Sequence, residues 1–159
     1  MTDSAQAPAA VAATERGRPT HDELESWRSF LRAHARITRA LEAELIAEQR
    51  LSLASYDVLV QLTEAPQRRL RMTELADAVL LSRSGVTRVV DRLERAGLVS
   101  RLPVENDGRG VAAQLTAAGL NRLRVASRTH LDGVVRHFAV RLEAEDLAVL
   151  DRICRRLGD

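Results

Sequence analysis

Apolar residues recur at three- and four-residue steps along most of this chain, and the pattern changes to alternation in one place only. Trp27, Phe30, Leu31, His34, Ile37, Leu41 and Leu45 predict an amphipathic helix from about Asp22 to Gln49, with Arg28, Arg32, Arg36, Arg39, Glu42 and Glu44 on its polar face. A second helix is predicted from about Ser52, with Tyr56, Leu59 and Leu62 inside and Pro66 as its stop. Gln67-Arg68-Arg69-Leu70 reads as a connector. Two short helices joined by a tight turn follow between Arg71 and Arg101. In the first, Thr73 is the expected N-cap, and Leu75, Ala76 and Val79 share a face. Leu80 and Leu81 carry the turn, and Ser82 caps the second. There Val86, Val89, Val90 and Leu93 stand at i, i+3, i+4 and i+7, and Gly97 suits a left-handed C-terminal cap.

After Gly97, Leu98–Leu102 and Val111–Leu115 alternate as strands around Pro103–Gly110, a loop rich in turn formers. Thr116 then caps a long helix running to about Val140, with Leu120, Leu123, Ser127, Leu131, Val134, Val135 and Phe138 as its stripe. A last helix starts near Glu143, with Leu147, Leu150, Ile153, Cys154 and Leu157 expected inside. The fold class is mainly α with a small β-hairpin wing: a winged helix-turn-helix with a helical region on either side. Residues 1–20, rich in Ala, Pro, Gly and Thr without periodicity, are expected to form a disordered tail. Residues 51–116 are the winged helix-turn-helix. Residues 21–50 and 117–159 carry more apolar helix than so small a unit can cover, so they are expected to form a dimerisation region with a second copy of the chain.

The polar face of the second short helix holds Arg83, Ser84, Thr87, Arg88, Asp91 and Arg92. Small residues allow a helix to approach base edges, arginine donates two bonds to guanine, and threonine suits bases or methyl groups. An ordinary solvated face has the same composition, and the hairpin that follows is what favours the nucleic-acid reading. Charge supports it modestly. The net charge is +2, but residues 1–66 hold 7 Arg against 10 acids, residues 67–109 hold 9 against 6, and residues 110–159 hold 8 against 6. The positive excess begins where the helix-turn-helix begins. All 24 basic residues are arginine, so phosphate contacts fall to arginine, hydroxyls and backbone amides.

The run LADAVLLSRSGVTRVVDRLERAGLVSR, then Asp107-Gly108-Arg109, then LTAAG ending at Gly119, resembles the MarR family of bacterial transcriptional regulators. These motifs span about Leu51 to Gly119, and flanking helices of suitable length extend the resemblance over nearly all the chain. It implies a homodimer in which the first and last two helices interleave across a two-fold axis, and binding to a pseudo-palindromic operator on double-stranded DNA. Two recognition helices would then reach successive major grooves, about 34 Å apart. Arg83, Ser84, Thr87 and Arg88 would read the major groove, and the helix starts at Thr73 and Ser82 would offer amides to phosphate. Arg109 would enter the minor groove from the wing tip, with Gly108 making the turn and Asp107 holding the guanidinium extended. Repression by competing with polymerase is the expected action, although an activator would share these features.

Other chemistry finds little support in the residues. No Gly-rich phosphate loop, metalloprotease motif, cysteine pair or nucleophile elbow occurs, so no enzyme, metal or cofactor is expected. His130 and His137 lie seven apart without a ligand set around them. Peroxide sensors resembling this family carry a cysteine near the start of the first helix; here the single cysteine, Cys154, lies on the last helix and is expected to be buried. Members of the family often bind phenolic or other aromatic acids in a cleft between the dimer helices and the winged unit. Trp27, His34, Arg36 and Tyr56, with Arg88, are residue types for such an effector cleft, and each is equally explained as core or DNA contact. Neither a membrane span nor a signal-peptide pattern is evident, which leaves the cytoplasm as the expected location. The rival reading is a winged protein-interaction module without specific DNA binding.

Overall fold

The computed structural model describes residues 17–79, 81–104 and 107–158, and of residues 107–109 the backbone alone. The order is α1 (His21–Gln49), α2 (Leu53–Glu64), β1 (Arg69–Arg71), α3 (Met72–Ala78), α4 (Arg83–Arg95), β2 (Val99–Val104), β3 (Asp107–Leu115), α5 (Ala117–His137) and α6 (Ala144–Gly158). The described residues up to Arg36 and those from Ile37 onward form two compact units. Of the tail expected over residues 1–20, residues 1–16 lie outside the described residues, as does Leu80 of the expected turn.

In the first unit, α1 starts on a reciprocal cap. The Thr20 amide donates to Glu23 Oε2 at 2.7 Å, and the Glu23 amide donates to Thr20 Oγ1 at 3.3 Å. Trp27, Phe30 and His34 stack along the helix, with ring centroids 6.0 and 6.4 Å apart. Trp27, Phe30 and Leu31 are exposed.

The second unit is built around α2. Val58, Leu59 and Leu62 are fully buried and meet Leu45, Leu75, Val86, Val90, Ala113 and Ala126 in one core. Left-handed backbone at Arg50 (φ 47°) turns α1 into α2, and Ser52 caps α2 by accepting from the Ser55 amide at 3.2 Å. The Glu42 carboxylate accepts from the Leu53 amide across the same turn.

The expected connector holds a strand. After a 3-10 turn at Pro66–Arg68, β1 pairs antiparallel with β3, Leu70 opposite Ala113, giving a three-stranded sheet of order β1-β3-β2. Only Leu70 of its three residues faces the core; a segment that short has no readable period. The hairpin is also longer than expected. β2 reaches Val104 and β3 starts at Asp107, with Val99 opposite Leu115 and Leu102 opposite Ala112. The loop read over Pro103–Gly110 is therefore mostly strand. Asp107, Gly108 and Arg109 lie in β3, so Gly108 is not the turn residue; their side chains lie outside the described residues.

α5 turns a different face inward from the one its large residues suggested. Gly119, Leu123, Ala126, Thr129 and Gly133 are buried, whereas Leu131 and Val135 are more than half exposed. Small residues let α5 approach α1 closely: a Cβ on Gly133 would stand 2.8 Å from Leu41 Cδ2. Gln49 donates to Thr129 Oγ1 at 2.9 Å, Thr129 donates to Glu48 at 2.8 Å, and Glu44 accepts from Arg136 at 2.6 Å and meets His137 Nε2 at 2.7 Å. α6 buries none of its residues in a single chain. Leu157 is 72% exposed and Cys154 is exposed, so the expected burial of that stripe and of the thiol does not hold within one protomer.

His130 of α5 packs its ring 4.4 Å from that of Tyr56, and its buried Nδ1 meets no hydrogen-bond partner among the described residues. Burial lowers its pKa below the usual imidazole range. A depressed folded pKa means that the unfolded chain binds the proton first. Stability is therefore expected to fall as pH drops below about 6.5 and to level off below the lower folded value. Urea titrations at a series of pH values should show this segment in the wild type and not in His130→Phe. Identical pH profiles would remove His130 as its source.

Candidate nucleic-acid interface

The helix-turn-helix is held from beneath. Leu75 and Ala76 of α3 and Val86, Val89, Val90 and Leu93 of α4 are at most 5% exposed. The Leu81 amide donates to Ala76 O at 3.1 Å across the turn. Ser82 starts α4 as expected, its Oγ accepting from the Gly85 amide at 3.1 Å. Gly97, at φ 71°, ends it in the left-handed form. The start of α3 differs. Its N-cap is Arg71, and the Glu74 carboxylate accepts from the Arg71 amide at 2.9 Å. Thr73 lies inside the helix and is not the cap. The Glu74 carboxylate reaches back from the first turn to satisfy the N-cap amide itself, the carboxylate half of a capping box.

Burial of the valine stripe fixes which way α4 faces. Arg83, Ser84, Thr87, Arg88 and Arg92 are all exposed on its other side. Ser84 Oγ shares a 3.2 Å hydrogen bond with Ser82 Oγ, and Thr87 Oγ1 donates to Arg83 O at 2.8 Å. Thr87 therefore offers its methyl group and acceptor lone pairs outward.

Arg101, on β2, is the residue that sequence reasoning passed over. Its guanidinium lies 2.5 Å from Asp91 and 2.5 Å from Glu94, both on α4, and donates to Thr87 O at 3.4 Å. Its amide also donates to Glu94 Oε1 at 3.1 Å. Partial burial lowers its pKa, but bonds to the two carboxylates outweigh this and leave it raised. The hairpin is thereby pinned to α4, and two acids on that helix are neutralised. Two acids three residues apart with an arginine on the next strand were the available signal. No group of three or more metal-ligating side chains occurs among the described residues.

Of the effector-cleft candidates, Tyr56 is buried at 6% exposure against His130, its hydroxyl 3.4 Å from Ser127 Oγ. Trp27, His34 and Arg36 belong to the first unit, where all three are exposed.

A family model described as the MarR family matches residues 51–110. The chain is 32% identical over 98 residues to the HTH-type transcriptional regulator PecS of Dickeya dadantii (strain 3937), 60% of this chain and 58% of that one. It is 31% identical over 100 residues to the HTH-type transcriptional repressor YetL of Bacillus subtilis (strain 168), 63% and 59%. It thus spans under two thirds of the length of the curated relatives it matches. Solved structures match further. Sco3205, a MarR family transcriptional regulator from Streptomyces coelicolor solved in complex with DNA, is 35% identical over 89% of both chains, with a TM-score of 0.82. AbsC, from the same organism, is 35% identical over 89% of this chain and 95% of its own, with a TM-score of 0.80. The chain belongs to the MarR family. Its fold is the winged helix-turn-helix of that family, with α4 as the second helix of the helix-turn-helix. No helix among its described residues is long and apolar enough to cross a membrane.

Proposed function

We propose that the protein acts as a homodimer on a pseudo-palindromic operator, each protomer placing α4 in the major groove, and that it represses transcription there. The observation that carries this reading is the face of Arg83, Ser84, Thr87 and Arg88, solvent-facing over a fully buried valine stripe. The solved complex of Sco3205 with DNA supports it. Arg83 and Arg88 supply the donors for guanine, Ser84 and Thr87 the close approach, and Arg109 of β3 the minor-groove contact. Residues 21–50 and 117–159 form the dimer, and release by a small aromatic acid completes the proposal.

Gel-shift titration on the DNA flanking the protein's own gene tests it. Arg88→Ala is expected to cost about 1–3 kcal/mol of specific binding and to relax preference at one base pair per half-site. Unchanged affinity with an intact fold would take Arg88 out of the base-reading set. Absence of any salt-dependent DNA affinity in the wild type would favour a protein-interaction module.

A further inference from the structure

Three of the four residues from Arg68 to Arg71 are arginine, and the backbone sets them at a defined place. Gln67 (φ 55°) and Arg68 (φ 54°) are both left-handed, a conformation that residues other than glycine seldom adopt. The turn is tied by the Arg68 amide donating to Ala65 O at 2.9 Å and by Gln114 Nε2 donating to Gln67 O at 3.4 Å. It lays β1 along β3 as an edge strand, Leu70 partly buried, Arg69 and Arg71 exposed. Residues two apart on a strand point the same way. Both arginines line a groove between this edge, the first turn of α3 and the far end of β2 at Val104. Among the described residues Glu74 is the one acid in its lining, with Oε2 engaged by the Arg71 amide.

We propose that this groove holds the DNA backbone, with Arg69, and Arg68 and Arg71 beside it, bound to phosphates flanking the bases that α4 reads. The proposal rests on the DNA-binding function argued above. In helix-turn-helix docking the first helix crosses the backbone while the second enters the groove. β1 runs into α3 with no residue between them, so its arginines stand where that backbone passes. A guanidinium fork matches phosphate oxygens. These contacts add affinity and register, not base preference. The competing role is defensive: charge on a short edge strand discourages pairing with other chains.

Salt titration of the full-length protein on two duplexes separates these, one from the DNA flanking its own gene and one of random sequence. Arg69→Ala is expected to weaken binding to both by the same factor, about three- to tenfold near physiological salt, and to flatten the slope of log K against log salt by about 0.9 per protomer, about 1.8 for the dimer. Arg68→Ala is expected to flatten it in the same direction, and Arg69→Lys to keep the wild-type slope. Wild-type slopes in folded Arg69→Ala and Arg68→Ala would overturn the proposal while leaving base reading by α4 intact. So would aggregation of Arg69→Ala with an unchanged slope in Arg68→Ala, which assigns the arginines to guarding the edge. A loss confined to the specific duplex would make the contact one to bases and overturn it as well. A wild type that binds neither duplex overturns both this proposal and the function it rests on.

Discussion

Gly119→Ala is expected to destabilise the fold by about 3 kcal/mol or more, although alanine is the better helix former by about 1 kcal/mol. The reason lies in how α5 starts. Thr116 caps it by accepting from the Gly119 amide at 3.0 Å, donates from the same hydroxyl to Gly97 O at 2.8 Å, and donates from its own amide to Leu98 O at 3.1 Å. The first turn of α5 is thus fastened to the segment that leaves the recognition helix. A Cβ on Gly119 would stand 2.1 Å from Leu98 O and 2.7 Å from Leu115 Cδ1. A backbone oxygen cannot swing aside as a side chain can, so the helix must lift from the sheet and break the cap bonds. Gly133→Ala is the contrast. Its Cβ would meet Glu44 Oε2 at 2.7 Å and Leu41 Cδ2 at 2.8 Å, the far ends of flexible side chains, so its cost is expected to be the smaller of the two. Urea midpoints for both variants check this. Equal, small losses would mean that α5 pivots freely about its cap.

The same residues show what was legible in the sequence. α4 was readable because its four buried positions are all branched or large, its polar face is polar without exception, and its ends carry Ser82 and Gly97. α5 was readable as a helix but not as a face. Besides Leu123, its inward residues are Gly119, Ala126, Thr129 and Gly133, which a stripe drawn through the largest side chains misses, because close packing there is achieved by absence of bulk. β1 was not readable, since two of its three residues are exposed arginines and its pairing partner lies more than 40 residues ahead. The cap at Thr73 was misplaced by two residues because the helix starts at Arg71, whose amide the Glu74 carboxylate satisfies from inside the first turn. At the interface, exposure of Arg83, Ser84, Thr87 and Arg88 follows from the valine spacing alone. The Arg101 clamp does not, because it joins elements whose approach only the folded sheet sets.

Removing α6, by truncation after Leu142, is expected to abolish two-half-site operator binding and to leave a chain that is monomeric or insoluble. Within one protomer α6 only half-buries Leu150 and Ile153, and Leu147, Val149 and Leu157 are 36%, 41% and 72% exposed. Val140, in the short turn before it, and Leu131 and Val135, on the outer face of α5, are at least half exposed as well. A monomer seldom leaves so many large apolar side chains open on consecutive elements. Fully burying such a side chain contributes about 1.5–3 kcal/mol, and these are 36–72% exposed, so covering both sets of six in a two-fold dimer outweighs an association cost on the order of 4–15 kcal/mol only if most are covered together. That is why the truncation should act as a switch. Without α6 the outer face of α5 keeps too little partner surface, and the exposed remainder favours non-specific aggregation. The same interface would cover Cys154, so burial of the thiol becomes a property of the dimer. Light scattering at micromolar concentration is expected to give a dimer for the wild type, and thiol labelling of that dimer is expected to be slow. Wild-type protein that is well folded, fully monomeric and rapidly labelled at Cys154 would remove the dimer, and with it the placement of two recognition helices in successive major grooves.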